Sequence, residues 1–208
     1  MNTLEQIQEN LVAGNANKVT ELTNQALSEG ATAAMILDDA MIVGMKVIGD
    51  RFKAGQAFIP EMLIAARAMT AGLTILEPLL ADSGVKAKGT IFVGTVQGDL
   101  HDIGKNLAAI MFKGAGYKVV DLGVNVSSAQ FIEKAKEIEP DFIGISALLT
   151  TTMVNMEGII KDLKAAGVKA KVIIGGAPVT AEYAKSIGAD LYAASAADGV
   201  EAVASTQA

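Results

Sequence analysis

Thr90-Ile91-Phe92-Val93-Gly94-Thr95-Val96 runs straight into Gln97-Gly98-Asp99-Leu100-His101-Asp102-Ile103-Gly104-Lys105-Asn106, and this passage decides the fold. Its first seven residues are an apolar, β-branched run of strand length. A polar, glycine-bearing stretch ends that run, and Ile103 to Lys113 then carries apolar residues at helical spacing. The same alternation repeats to the end of the chain. Further strand-length runs lie at Lys118 to Leu122, Phe142 to Ser146, Val172 to Ile174 and, more weakly, Leu191-Tyr192. Between and after them stand helix-length stretches at Ala129 to Ile138, Met153 to Ala166, Ala181 to Ile187 and Ala197 to Ala204. Ser127-x-x-Gln130 is a capping box, and Gly116 and Gly167 are helix stops. Five strands, each followed by a helix, predict an α/β domain with an open parallel sheet and helices on both faces. Ligands of such sheets bind beyond the carboxyl ends of the strands, which directs attention to the loops after Val96, Ser146 and Ile174.

Upstream of Lys88 the period is different. Leu4, Ile7, Leu11 and Val12 recur at three and four residues, and Val19, Leu22, Ala26 and Leu27 repeat the pattern before Gly30. Ala33 to Phe52 is a third, longer series. A fourth helix is expected to open at Pro60 and to end near Pro78. These four predict a small bundle over residues 1–88, with Ala81 to Lys88 as its linker to a second domain over 89–208.

Composition excludes several function classes. Of 208 residues, 17 are Lys or Arg and 23 are Asp or Glu, so the formal charge is −6 and nothing attracts a phosphate backbone. Nucleic acid is not an expected partner. Charges and glycines interrupt the apolar runs before the length a spanning helix needs, so no membrane partner is expected either. No secretory leader is visible at the N-terminus, and the absence of cysteine fits a cytoplasmic address. With no cysteine and one histidine, a zinc site built from protein nitrogen and sulfur is not expected.

That histidine lies in the first strand-end loop. Asp99 and His101 are two residues apart, so in an extended segment the carboxylate can hold one ring nitrogen and leave the other free for a metal. Such a site needs a cofactor that brings the remaining ligands. The alternative is a surface loop in which the ring merely pairs with a neighbouring acid. Gly104, without a Cβ, lets a bulky group approach the backbone. Gly175-Gly176 reads either as room for a ligand or as an ordinary strand-end turn, and Ser146 as a ligand contact or as a hydroxyl satisfying a backbone group. Asp102 and Lys105 read as helix-start residues, and Asp50-Arg51 as a solvated ion pair at a helix end. Met41, Met45, Met62 and Met69 are core gap fillers by default, although Met62, Ala65, Ala66 and Met69 share one helical face behind Phe58 and offer an apolar lid.

Asp99-x-His101-x-x-Gly104, Ser146-x-Leu148 and Gly175-Gly176 together resemble the three-part signature of cobalamin-binding domains of the methionine synthase and methylmalonyl-CoA mutase type. Gly98 to Asn106 resembles the methylcobalamin branch. Gly44 to Val47, Gly49 to Phe52 and Phe58-Ile59-Pro60-Glu61 resemble the helical cap that precedes such a domain. In order and length the chain is similar to the small corrinoid proteins serving methanol, methylamine and aryl methyl ether methyltransferases.

The resemblance implies a Rossmann-like, flavodoxin-like cobalamin-binding domain behind the cap. It implies cobalamin bound base-off, with His101 as lower cobalt ligand, Asp99 as its hydrogen-bond partner and Thr152 in the place of a serine that extends the pair in methionine synthase. It also implies a contact set of Asp102, Ile103, Gly104, Ser146, Leu148, Thr150, Gly175 and Gly176, with Phe58 and Met62 above the corrin. Ser146 would meet the base of the displaced nucleotide tail. The implied activity is methyl carriage as one component of an O-demethylase-like system: Co(I) accepts a methyl group from a donor-side methyltransferase, and methyl-Co(III) passes it to an acceptor-side methyltransferase using tetrahydrofolate or a thiol. A reductive activation protein is the third implied partner. No second set of converging acids and bases is visible, so the chain is expected to be a carrier rather than a complete enzyme. A cobalamin-dependent sensor is the alternative, but its DNA-binding segment should precede the cap, and the first helix starts almost at Met1. A mutase subunit should lack the cap, and a dinucleotide enzyme needs another glycine spacing than Gly94, Gly98 and Gly104.

Overall fold

The computed structural model describes residues 2–82 and 87–207. They fall into two compact units, one of residues 2–88 with 113–116 and one of 89–112 with 117–207.

The first unit is helical. α1 (Thr3–Val12) opens on a capping box between Asn2 and Glu5 and buries Ile7 and Leu11. Gly14, at φ +75°, then turns the chain into α2 (Ala16–Ser28), and a Cβ there would run into Ile64. The third apolar series forms α3 (Ala33–Met35), a π-helical segment (Ile36–Ile42) and α4 (Val43–Lys53). The π segment was not foreseen. Ile36 and Met41, five residues apart, are both buried, a spacing that the wider π turn brings to one side. α5 (Ile59–Asp82) does not stop at Pro78 as expected. Proline has a helical φ, and the bond it removes and the crowding of the carbonyl four residues back fall near the end of a long helix, whose final turn continues past it. The helix therefore takes in the start of the expected linker, whose residues 83–86 lie outside the described residues.

Running on through Gly72 and Pro78, α5 also overturns the expectation about apolar length. Its Ile59–Leu80 stretch is long and apolar enough to cross a membrane by length and composition. Met62, Ala65, Ala68, Met69 and Leu76 are buried, while Ile59, Leu63, Ile64 and Leu79 are exposed, so one face of the helix packs and the other does not. Asp50, read as the partner of Arg51, instead pairs with Lys46 at 2.8 Å, because neighbours four apart share a helix face and adjacent residues do not.

The second unit is a parallel sheet with strand order β2-β1-β3-β4-β5. β1 (Thr90–Thr95), β2 (Lys118–Asp121), β3 (Phe142–Ser146), β4 (Lys171–Gly175) and β5 (Leu191–Ala193) alternate with helices. These are α6 (Ile103–Gly114), α7 (Ser128–Ile138), the short α8 (Thr150–Met153), α9 (Asn155–Ala165), α10 (Ala181–Ser186) and α11 (Ala196–Ala204). The Ser127–Gln130 capping box is formed. Phe92, Phe131, Ile143, Ile145, Ile160 and Ile174 are core residues of this unit. Gly94 leaves the space that Phe131 fills, since a Cβ there would lie 2.7 Å from the ring. The chain leaves β1 toward β2 on one side and leaves β3 toward β4 on the other, so the loops after β1 and β3 diverge at a topological switch point. In register, Thr95 pairs with Ser146, Ser146 with Gly175, and Gly175 with Ala193, a row across the carboxyl edge of the sheet.

Candidate functional site

The loop after β1 turns at Gly98, whose φ of +86° suits glycine, and this brings Asp99 back beneath the sheet edge. Asp99 is fully buried. Its Oδ1 accepts from the His101 backbone N–H at 3.0 Å and contacts the ring Nδ1 at 2.6 Å. Its Oδ2 accepts from the Leu148 N–H at 2.8 Å, the Leu149 N–H at 3.3 Å and the Thr152 hydroxyl at 2.7 Å. Burial pushes the carboxyl up, but the bonds from Leu148, the His101 N–H, Thr152 and the ring outweigh it and hold Asp99 well below the usual carboxylate range. An ionised carboxylate has no proton to give, so Nδ1 carries one and donates it. Nε2 of a neutral His101 is then left with its lone pair, on a ring that is 49% exposed.

Thr152 sits in α8, so the spacing between β3 and that short helix brings a hydroxyl 53 residues away onto Asp99. The Ser146 hydroxyl bonds neither to the backbone nor to Asp99. Thr95 Oγ1 gives its single proton to the His101 carbonyl at 2.8 Å, so Ser146 Oγ donates to Thr95 at 3.1 Å and keeps its lone pairs. Thr95, fully buried at the end of an apolar strand, was missed in the sequence, and its signal was a hydroxyl in an otherwise apolar run.

Gly175 and Gly176 have a reason of their own. A Cβ on Gly175 would meet the Ala193 carbonyl, and one on Gly176, at φ +127°, would collide with the Ala147 carbonyl, so neighbouring backbone requires both glycines. Gly104 faces open space. Asp102 precedes α6, its carbonyl accepting from the Asn106 N–H and its carboxylate from Asn106 Nδ2. Lys105 is more than a helix-start residue. It is buried, and its Nζ donates to Asp121 at 2.5 Å and to Asn106 Oδ1 at 2.7 Å. Ile103, Leu148 and Thr150 are exposed, as are Leu100 at 72%, Leu149 and Val154. Leu100 and Ile103 share the loop of the half-exposed imidazole, and Leu148 and Leu149 bond its partner Asp99 through their N–H groups, so exposed apolar side chains lie beside the ring. Phe58 and Met62 belong to the helical unit, where Phe58 is exposed and Met62 buried.

No three His, Cys, Asp or Glu side chains cluster as a metal site among the described residues. One free imidazole nitrogen in an apolar rim suits instead a flat, largely apolar cofactor that carries its metal already ligated. The residues therefore fit a tetrapyrrole-type group.

The fold and this site define a B12-binding protein. Models of the B12-binding domain match residues 89–204 and residues 3–77. The chain belongs to the family of corrinoid proteins of methyltransferase systems. It is 40% identical over 206 residues to a corrinoid protein of Desulfitobacterium hafniense, covering 97% of this chain and 95% of that one. It is 45% identical over 187 residues to trimethylamine corrinoid protein 1 of Methanosarcina mazei, covering 88% and 87%. Among solved structures it is similar to the methanol:cobalamin methyltransferase complex of Methanosarcina barkeri, with TM-score 0.88 and 28% identity over 99% of this chain and 79% of that one. A cobalamin-binding protein of Desulfitobacterium hafniense gives TM-score 0.80 and 31% identity, covering 99% and 98%.

Proposed function

We propose that the chain is a corrinoid methyl carrier in which His101 Nε2 is the lower cobalt ligand and the cofactor is held base-off. The observation that carries this reading is the buried Asp99 carboxylate, which occupies Nδ1 of the one histidine and leaves Nε2 with a lone pair. When bound, the corrinoid supplies a cobalt centre that takes up a methyl group when reduced and gives it up to an acceptor. The chain's own residues hold and orient. Asp99 fixes the orientation and tautomer of the ring, and Thr152 fixes the second oxygen of Asp99. Ser146 meets the displaced nucleotide base, donating to its freed ring nitrogen once the hydroxyl turns from Thr95, and Gly104 admits the macrocycle beside α6. Asp102, Ile103, Leu148 and Thr150 line the lower rim, and Gly175 and Gly176 the course of the nucleotide tail. We assign residues 1–88 to a cap, with the exposed Phe58 shielding the upper face and the buried Met62 a core residue of the cap rather than a corrin contact, and 89–208 to the cofactor domain.

The partners we infer are a donor-side methyltransferase, an acceptor-side methyltransferase and a reductive activator, in the cytoplasm. Methylated amines are the donor class that the names of the relatives favour. The test is electron paramagnetic resonance of the cobalamin-loaded protein in its Co(II) state. Nitrogen splitting from the protein is expected in wild type and should vanish in His101→Ala. Splitting retained in that variant overturns the ligation.

A further inference from the structure

We propose that Asn125 and Asn155 are positioning residues for His101, gripping the Gln97-Gly98-Asp99 turn from its two sides so that Asp99 keeps one oxygen on the ring and the other on Thr152. The inference rests on the reading of His101 as the ligand.

Beyond the Asp99 N–H bond to the Val96 carbonyl, three backbone groups of this turn are bonded by residues distant in sequence. Asn125 Oδ1 accepts from the Gly98 N–H at 2.8 Å, and the Asn125 N–H donates to the Asp99 carbonyl at 2.9 Å. Asn155 Nδ2 donates to the Gln97 carbonyl at 2.9 Å. One backbone polar group on each of three consecutive residues is thus held by two asparagines. One lies in the loop after β2 and the other at the start of α9, which follows β3; β2 and β3 flank β1, so the grip comes from both sides.

Asn125 has φ +55°, a conformation that L residues adopt at a cost and glycine adopts freely. A position needing only that backbone would be served by glycine. What asparagine adds is the carboxamide oxygen that Gly98 uses. Asn155 follows Thr152 by three residues, so the segment that brings the hydroxyl to Asp99 also pins the turn in front of it. Loosening the turn lets the carboxylate rotate away from Nδ1, and the ring is then free to take the other tautomer.

Because the chain has a single histidine, ring-15N labelling gives one imidazole to observe by NMR, and it can be read in the cofactor-free protein in alkaline solution. Wild type should hold the proton on Nδ1. Asn125→Gly keeps the backbone conformation and its N–H but loses the acceptor, and Asn155→Leu keeps size but loses the donor. Each should raise the Nε2–H share about fivefold, the factor one ordinary hydrogen bond controls. Asn125→Asp keeps the acceptor and should keep the wild-type ratio. An unchanged ratio in both Asn125→Gly and Asn155→Leu, whatever their melting temperatures, overturns the proposal. The measurement needs no cobalt, so a wild-type Co(II) spectrum lacking nitrogen splitting would remove the ligation alone, and an unchanged tautomer beside a normal spectrum would remove the positioning alone.

Discussion

A carboxylate taken out of water and given five donors has little freedom left, and Asp99 is in that position. Its folded-state value is depressed, so it stabilises the fold above the ordinary carboxylate range, and that contribution is lost as the pH falls below about 4. Asp99→Asn should therefore be less stable than wild type at neutral pH by about 2 kcal/mol, since its NH2 faces donors it cannot serve. The difference should narrow as the solution is acidified. Urea titrations at a series of pH values check this, and a constant difference would mean that charge is not what the site uses. The i, i+2 pairing of Asp99 and His101 was legible in the sequence because it is local. Thr95 and Asn125 were not, since their partners, the His101 carbonyl and the Gly98 N–H, come within reach only once the loop is folded.

Among the elements, α6 carries an anomaly. Lys105 is the third residue of that helix, where the macrodipole disfavours a cation, yet the side chain is buried. Asp121 at the end of β2 offsets the charge and also accepts from the Gly123 N–H at 2.8 Å, so the pair anchors the loop that leads to Asn125. Asp121 is 43% exposed, which keeps the net value of the ion pair small. Lys105→Met, which keeps the stem, should cost about 1 kcal/mol or less in urea unfolding. Lys105→Glu sets a like charge against Asp121 in a buried place and should cost about 3 kcal/mol or more. Equal losses in the two variants would show that packing of the stem, and not charge, is what matters. Strand and helix positions in the sheet unit were legible because apolar runs and capping residues act locally. The π segment and the passage of α5 through Pro78 were not. Met41 needs the missing Cβ of Gly72, on another helix, to find its place, and such an accommodation leaves no periodicity behind.

At the scale of the whole molecule, a single histidine and no cysteine leave few groups for chemistry on a substrate. If that histidine is engaged beneath cobalt, donor activation must come from another polypeptide. The reduced, cobalamin-loaded protein should therefore show no methyl uptake from methylamines or methanol in the absorbance spectrum until a donor-side methyltransferase is added. Rapid uptake without it would reveal a substrate site in this chain. The sequence by itself determined the alternation of strands and helices, the helical N-terminal part and the Asp99 and His101 pair, because side-chain periodicity, turn residues and near-neighbour reach are written along the chain. Only the tertiary structure decided that Gly176 yields to the Ala147 carbonyl and that Asn125 and Asn155 grip one turn from two sides, and it gave the reach of Thr152 to Asp99 across 53 residues, which the resemblance had implied, its geometry. Those contacts depend on strand order and register, and a parallel sheet fixes both only when separated strands pack side by side.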